Sequence, residues 1–231
     1  LPGEPLDVLG VGAISRSLAA YVLLNDARNG LAVMFLDFER GRAQAVPIPT
    51  LSDYTQVQGV SLLPLDTSGK SILVATTQQE VFPFAKSTLL LPCIFPQGKY
   101  GMPLALRGVP TVSESPWATL SSDTLAVATY DEDSGFGRIT VFRWIEQENG
   151  IRLERVEEIP LSENAEHTLV AAAPTSDRLA YTLGTRLFWE KGVGGLAESK
   201  SCAETLRWLA WTQEGIVAAE ENRLHQLDPE T

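Results

Sequence analysis

Apolar residues in this chain come in short blocks, and turn chemistry separates each block from the next. The clearest case runs from Ser122 to Phe142. Ser122-Asp123-Thr124 supplies a turn, Leu125-Ala126-Val127-Ala128-Thr129-Tyr130 is an apolar β-prone run, Asp131 to Gly137 is a polar loop with glycines, and Arg138-Ile139-Thr140-Val141-Phe142 alternates polar and apolar residues. This pattern predicts a hairpin with one half-buried strand.

The turn-plus-strand recurs. Ser15-Arg16-Ser17 precedes Leu18, Ser68-Gly69-Lys70-Ser71 precedes Ile72, Ser176-Asp177-Arg178 precedes Leu179, and Gln213-Glu214-Gly215 precedes Ile216. With Leu125 included, the first four apolar starts are evenly spaced at about 54 residues. The last interval, from Leu179 to Ile216, is shorter. No segment keeps apolar residues at helical spacing over three turns, so the sequence predicts very little helix. A fixed period built of short β runs marks a repeat array.

Each full interval holds four strand-like runs, which points to an all-β fold, a β-propeller of four-stranded antiparallel blades. The third unit reads Trp117 to Leu120, Leu125 to Tyr130, Arg138 to Ile145 and Ile151 to Ile159. The fourth reads His167 to Ala173, Leu179 to Leu183, Thr185 to Trp189 and Leu196 to Cys202. The fifth supplies Leu206 to Trp211, Ile216 to Ala219 and Asn222 to Leu227. The repeats fall at 8–55, 56–110, 111–163, 164–203 and 204–229 of a single propeller domain or partial propeller. Because the fifth set has three strands and Leu1 to Asp7 is too rich in Pro and Gly to supply a fourth, two expectations stand. The chain is a five-bladed ring closed imperfectly or, the favoured reading, part of a larger propeller. A start at Leu1 rather than Met predicts a processed chain, a trimmed one or a piece of a longer one.

Charge narrows the classes of partner. Asp and Glu number 29 against 18 Lys and Arg, a formal net charge of -11. Binding nucleic acid requires clustered cations that displace phosphate counterions, so no direct nucleic-acid contact is expected. The longest apolar runs fall far short of a bilayer span, so no membrane contact is expected either. Cys93 and Cys202 have no Cys or His at metal-ligand spacing and are expected as buried free thiols. With no glycosylation acceptor either, the sequence predicts an intracellular chain, cytoplasmic or nuclear.

Gly137-Arg138-Ile139-Thr140-Val141-Phe142 followed by Arg152-Leu153-Glu154-Arg155-Val156 resembles blades of the WD-like β-propeller superfamily, although the Trp-Asp and Gly-His pairs of regular WD repeats are absent. The blade is similar to those of the large propeller subunits of cleavage-and-polyadenylation and damaged-DNA-binding factors. It is equally similar to blades of lactonase-type propellers. The first resemblance implies a scaffold for multiprotein complexes; the second implies a hydrolase with a metal-assisted site at the channel mouth.

The residues themselves supply little chemistry. Asp131-Glu132-Asp133-Ser134-Gly135 puts carboxylates in a tight turn, but an EF-hand starting at Asp131 would need Gly and Glu where Phe136 and Phe142 stand. Asp131, Asp133 and Glu166 are therefore weak metal candidates, and the expectation is no cofactor and no catalytic set. Ser68-Gly69-Lys70-Ser71 lacks the upstream glycine and following helix of a phosphate loop and reads as a hairpin turn; Gly192-Val193-Gly194-Gly195 reads as a loop of the fourth blade. His167 is expected to begin a first strand, with Glu166 beside it as an orienting partner. Among the tryptophans, Trp208 and Trp211 are expected on opposite faces of one strand, and Trp144 near the surface. The residues expected to bind other protein subunits are Trp144, Tyr100, Phe95 and Phe136, with specificity placed in a long insert from Pro83 to Pro116. The leading expectation is thus a non-enzymatic scaffold, a propeller subunit of a larger complex.

Overall fold

The computed structural model describes residues 7–13, 18–25, 30–37, 41–47, 55–66, 68–79, 86–94, 97–113, 115–148, 150–162, 165–190 and 197–229. The chain divides into two units, one of Leu1–Leu106 with Trp144–Leu153, the other of Arg107–Arg143 with Glu154–Thr231.

In the first unit, β1 (Asp7–Ala13), β2 (Leu18–Asn25), β3 (Gly30–Asp37) and β4 (Arg42–Pro47) form an antiparallel sheet in that order. A second sheet follows the order β5 (Thr55–Pro64), β6 (Lys70–Gln79), β7 (Lys86–Ile94), β8 (Lys99–Tyr100), and β9 (Leu104–Arg107) also pairs with β7. Ile72, Leu73, Val74 and Ala75 of β6 are all buried, so consecutive residues, which point to opposite faces of a strand, both find cover. The β5–β6 turn is the Ser68-Gly69-Lys70-Ser71 segment. Asp66 Oδ1 accepts from the Ser68 N–H at 2.8 Å, the Ser68 hydroxyl at 2.7 Å and the Lys70 N–H at 3.2 Å, a side-chain-braced hairpin turn as its sequence implied.

Strands β10 (Val109–Pro110), β11 (Trp117–Ser121), β12 (Thr124–Tyr130), β13 (Gly137–Gln147) and β14 (Gly150–Leu161) make the third sheet, with β10 and β11 both paired to β12. A single 3-10 turn at Ala165–His167, the one helical element among the described residues, leads into the fourth sheet: β15 (Val170–Ala172), β16 (Leu179–Leu183), β17 (Arg186–Glu190) and β18 (Ala197–Ser201). The fifth sheet has three strands, β19 (Trp208–Thr212), β20 (Gly215–Ala219) and β21 (Leu224–Leu227).

Burial explains the pattern of β12 and β13. Leu125 to Thr129 are inaccessible to solvent, and Leu125 stands directly opposite Phe142, which is also fully buried. Burying a large apolar side chain such as Leu125 or Phe142 contributes about 1.5–3 kcal/mol relative to exposure. One core packs residues of the third and fourth sheets, such as Ala126, Ile139, Val170 and Tyr181; another packs the fourth against the fifth through Ala180, Leu187, Trp211 and Ile216. The outer strand β14 carries Glu154, Arg155, Glu157, Glu158 and Pro160 on exposed positions, which discourages edge pairing.

Four expectations are corrected. The strand Arg138 to Phe142 is buried from Ile139 to Phe142, Thr140 included, rather than half-buried, so both of its faces are shielded from solvent, the Ile139 and Val141 face by the fourth sheet. His167 ends the 3-10 turn and does not start a strand. The stretch from Pro83 to Pro116 is no loop insert but contains β7 to β10, its apolar Leu89-Leu90-Leu91 pairing with β6. Trp144 is only 4% exposed, since it falls on the inward side of β13 two residues after Phe142, with the Lys70 ammonium 5.9 Å from its ring centroid. Gly192 to Gly195 lies outside the described residues.

Candidate functional site

The connections that enter the first strands of three successive sheets meet in the second unit. Val112 and Ser113 come before β11, His167 and Leu169 before β15, and Thr205, Leu206 and Arg207 before β19; together they line a cavity of about 360 Å³. Equivalent positions of successive repeats therefore do converge, which spacing alone had not indicated.

Its wall is tied together by backbone and hydroxyl contacts. The Val112 N–H donates to Glu166 O at 2.6 Å, and the Val170 N–H donates to Ser115 O at 2.9 Å. The Thr111 and Ser113 hydroxyls both donate to Thr168 O at 2.8 Å. With its hydroxyl proton committed to that carbonyl, Ser113 is not presented to a base as a nucleophile would be. His167 Nε2 lies 3.3 Å from Glu166 Oε1, the partnership anticipated, but both side chains are more than half exposed. Buried Leu169 and Leu206 contribute apolar lining, while Arg207 and Val112 are exposed. The volume suits a small ligand or a few side chains of a partner.

The acidic loop is organised around its own backbone. Asp131 accepts from the Asp133 N–H at 3.1 Å and the Ser134 N–H at 3.2 Å, and Arg107 lies 3.1 Å from its other oxygen. The Ser134 N–H, opposed by partial burial and aided by Arg107 and the Asp133 N–H, holds the Asp131 carboxyl below its ordinary range. Asp133 is exposed and Glu166 sits on the 3-10 turn; the three are not gathered as ligands.

Among the described residues, the group of three His, Cys, Asp or Glu side chains with ligand atoms close together is Cys202, Glu220 and His225, all within 4.8 Å of one another. Cys202 follows β18, Glu220 follows β20 and His225 lies in β21. Glu220 is buried, and its Oε1 accepts from the Ala203 N–H at 2.8 Å and the Glu204 N–H at 3.2 Å. Burial pushes its carboxyl up, but those two N–H groups and His225 outweigh it and leave the group below its ordinary range. Burial, with the Glu220 charge adding to it and Lys200 opposing, pushes the Cys202 thiol up. Sequence spacing missed this cluster because its members sit on the ends of different strands. The usable signal was that Glu220 and His225 flank the last hairpin turn.

Of the residues singled out for protein binding, Phe136 is exposed at 51%, while Tyr100 is half-buried opposite Cys93, where burial first and the Cys93 charge second push its phenol up to about 12. Phe95 lies outside the described residues, and Trp144 is buried. Trp208 and Trp211 do face opposite ways. Trp211 is buried beneath the Arg178 guanidinium at 5.1 Å, and Trp208 is 41% exposed. Register places Trp208 opposite Ala219 and Ala219 opposite Leu224, which is 71% exposed, so an apolar row crosses the fifth sheet. Sequence reading had passed over Leu224 altogether.

No protein-family model matches the chain, and no curated protein does. Among solved structures, the chain is similar over 99% of its length to the complex of the fission yeast SREBP-SCAP binding domains, at 14% identity and a TM-score of 0.55. Weaker likenesses are to a prolyl endopeptidase studied for inter-domain dynamics, at 9% identity over 90% of this chain with a TM-score of 0.47, and to Kluyveromyces lactis Hsv2, at 9% over 97% with a TM-score of 0.44. The chain spans 60% of the fission yeast chain, 32% of the endopeptidase chain and 75% of the Hsv2 chain. With the blade-like antiparallel sheets, the first likeness shows the fold: all-β, of the β-propeller type.

Proposed function

We propose that this propeller is a non-enzymatic protein-binding scaffold of a larger assembly. The observation that carries the reading is the fifth sheet. Among the described residues no strand pairs with the outer edge of β21, and exposed Trp208 and Leu224, with half-buried Ala219 between them, lie on that sheet. An unpaired edge offers N–H and C=O groups to an extended segment, and apolar side chains on the adjoining face add affinity and register. Tryptophan is the residue type most enriched among interface anchors, and Arg207, exposed beside Trp208, belongs to the same class. The partner is thus an extended segment of another protein subunit. At 14% identity the fission yeast complex lends the fold and no partner identity.

The competing hydrolase reading requires carboxylates from several blades to converge at the channel mouth. The cavity is lined by an imidazole, a guanidinium and hydroxyls, and the Glu166 carboxylate beside it is paired with His167.

The test compares affinity purification of wild type with Trp208→Ala and Leu224→Glu, quantified by mass spectrometry, with light scattering to detect self-association. A stoichiometric partner lost by at least about tenfold from both variants supports the scaffold, since an interface anchor contributes about 2 kcal/mol or more. Retention of every wild-type partner by both variants rejects this surface.

A further inference from the structure

The Cys202, Glu220 and His225 cluster adjoins the docking surface just described, since His225 follows Leu224 in β21, but its side chains are not among the anchors named there. His225 Nε2 is buried and lies 3.2 Å from Glu220 Oε1, and the Cys202 sulfur is within 4.8 Å of both. An imidazole, a carboxylate and a thiol so close together on three separate segments form a donor set that one cation can share. The carboxylate is also preset. Its Oε1 is held by the Ala203 and Glu204 N–H groups, which leaves lone pairs of the group for a further partner, and the Glu220 N–H donates to Arg223 O at 2.9 Å to fix the turn.

We propose that Cys202, Glu220 and His225 bind a Zn²⁺ ion that joins the end of the fourth sheet to the last hairpin of the fifth. A thiolate, an imidazole and a carboxylate form a borderline donor set that suits Zn²⁺ and not Ca²⁺ or Mg²⁺, which take oxygen ligands. Around a tetrahedral Zn²⁺ the ligand atoms stand about 3.3–3.8 Å apart. His225 Nε2 and Glu220 Oε1 stand 3.2 Å apart, just under that spacing, the other carboxylate oxygen carries the lone pairs for the metal, and the thiol lies within 4.8 Å. The Cys202 N–H is anchored to Thr185 O at 2.8 Å, so a rotation of its half-exposed side chain closes the set. Three protein ligands leave a fourth position for water.

The experiment uses the full chain, dialysed against a chelator and then titrated with Co²⁺ and Zn²⁺. The expected result is one equivalent of Co²⁺ with a near-ultraviolet thiolate-to-cobalt band, bleached by Zn²⁺, and a higher melting temperature with metal. Cys202→Ser abolishes the band. His225→Gln weakens Zn²⁺ binding by more than the ~10–100-fold that loss of an outer-shell partner causes. His167→Gln, at the chain's other histidine, leaves both unchanged. No stoichiometric uptake at micromolar metal overturns the proposal, as does uptake that survives both ligand substitutions. If either ligand variant fails to fold, the wild-type spectrum decides: Co²⁺ bound without a thiolate band overturns it.

Discussion

Replacing Gly215 by alanine tests whether the last hairpin is held as tightly as its geometry implies. Gly215 opens β20 with φ of 125°, a conformation that side chains other than glycine rarely adopt, and a Cβ there would lie 2.3 Å from Leu227 O. Two penalties add: about 1–3 kcal/mol for the backbone conformation, and about 1–3 kcal/mol for forcing the overlap apart at the end of β21. Gly184, in the β16–β17 turn of the same unit, separates them, for its φ is 59° and nothing lies within 4 Å of the added atom. Alanine at 184 therefore costs about 1–2 kcal/mol, and alanine at 215 costs roughly 2–6 kcal/mol. Urea unfolding followed by tryptophan fluorescence measures both, and hydrogen exchange of the β20 and β21 amides shows whether the loss is local. Equal destabilisation by the two substitutions would refute the argument from the Leu227 carbonyl.

Asp131→Asn removes a carboxylate whose folded-state pKa is depressed, so its contribution is present above the unfolded value of ~3.9 and disappears as pH falls through the lower folded value. The variant is expected to be less stable than wild type at pH 7 and to converge with it near pH 2, measured by chemical denaturation at both. Native alkylation should label one thiol quickly: Cys93 is fully buried, donates to Ser71 O at 3.2 Å and has its thiol pushed far up by burial, whereas Cys202 is half-exposed. Comparable labelling rates at the two cysteines, read by peptide mass spectrometry, would contradict the burial of Cys93.

The repeat was legible because it rests on local chemistry. The five second strands, β2, β6, β12, β16 and β20, begin within two residues of the apolar starts Leu18, Ile72, Leu125, Leu179 and Ile216, since turn residues and β-branched runs mark them without tertiary information. Trp208 and Trp211 were separable for the same reason, through strand alternation. What failed depended on cover from elsewhere. Thr140 reads as an outward polar position in an alternating strand, yet it is fully buried; Trp144 looks like a strand-end anchor, yet Lys70, distant in sequence, lies over its ring. The cavity and the Cys202 cluster needed the same long-range information.

The short last interval reflects shorter strands, and strand pairing explains where the cluster forms. In the third sheet β13 and β14 run for 11 and 12 residues, whereas β17 and β18 have 5 each, and this accounts for most of the shortening. At about 3.3 Å per residue, β18 covers about 17 Å where β14 covers about 40 Å. The chain therefore turns after Ser201 with little excursion, and the backbone at Ala203 and Glu204 arrives beside the β20–β21 turn, in hydrogen-bonding reach of Glu220. The place of Cys202 is set by pairing rather than by strand length: Ser201 stands opposite Arg186 at the start of β17, and the Cys202 N–H donates to Thr185 O at 2.8 Å. That pairing brings the thiol within 4.8 Å of the buried Glu220 carboxylate and the His225 imidazole beside the β20–β21 turn, where the proposed Zn²⁺ would link the fourth and fifth sheets.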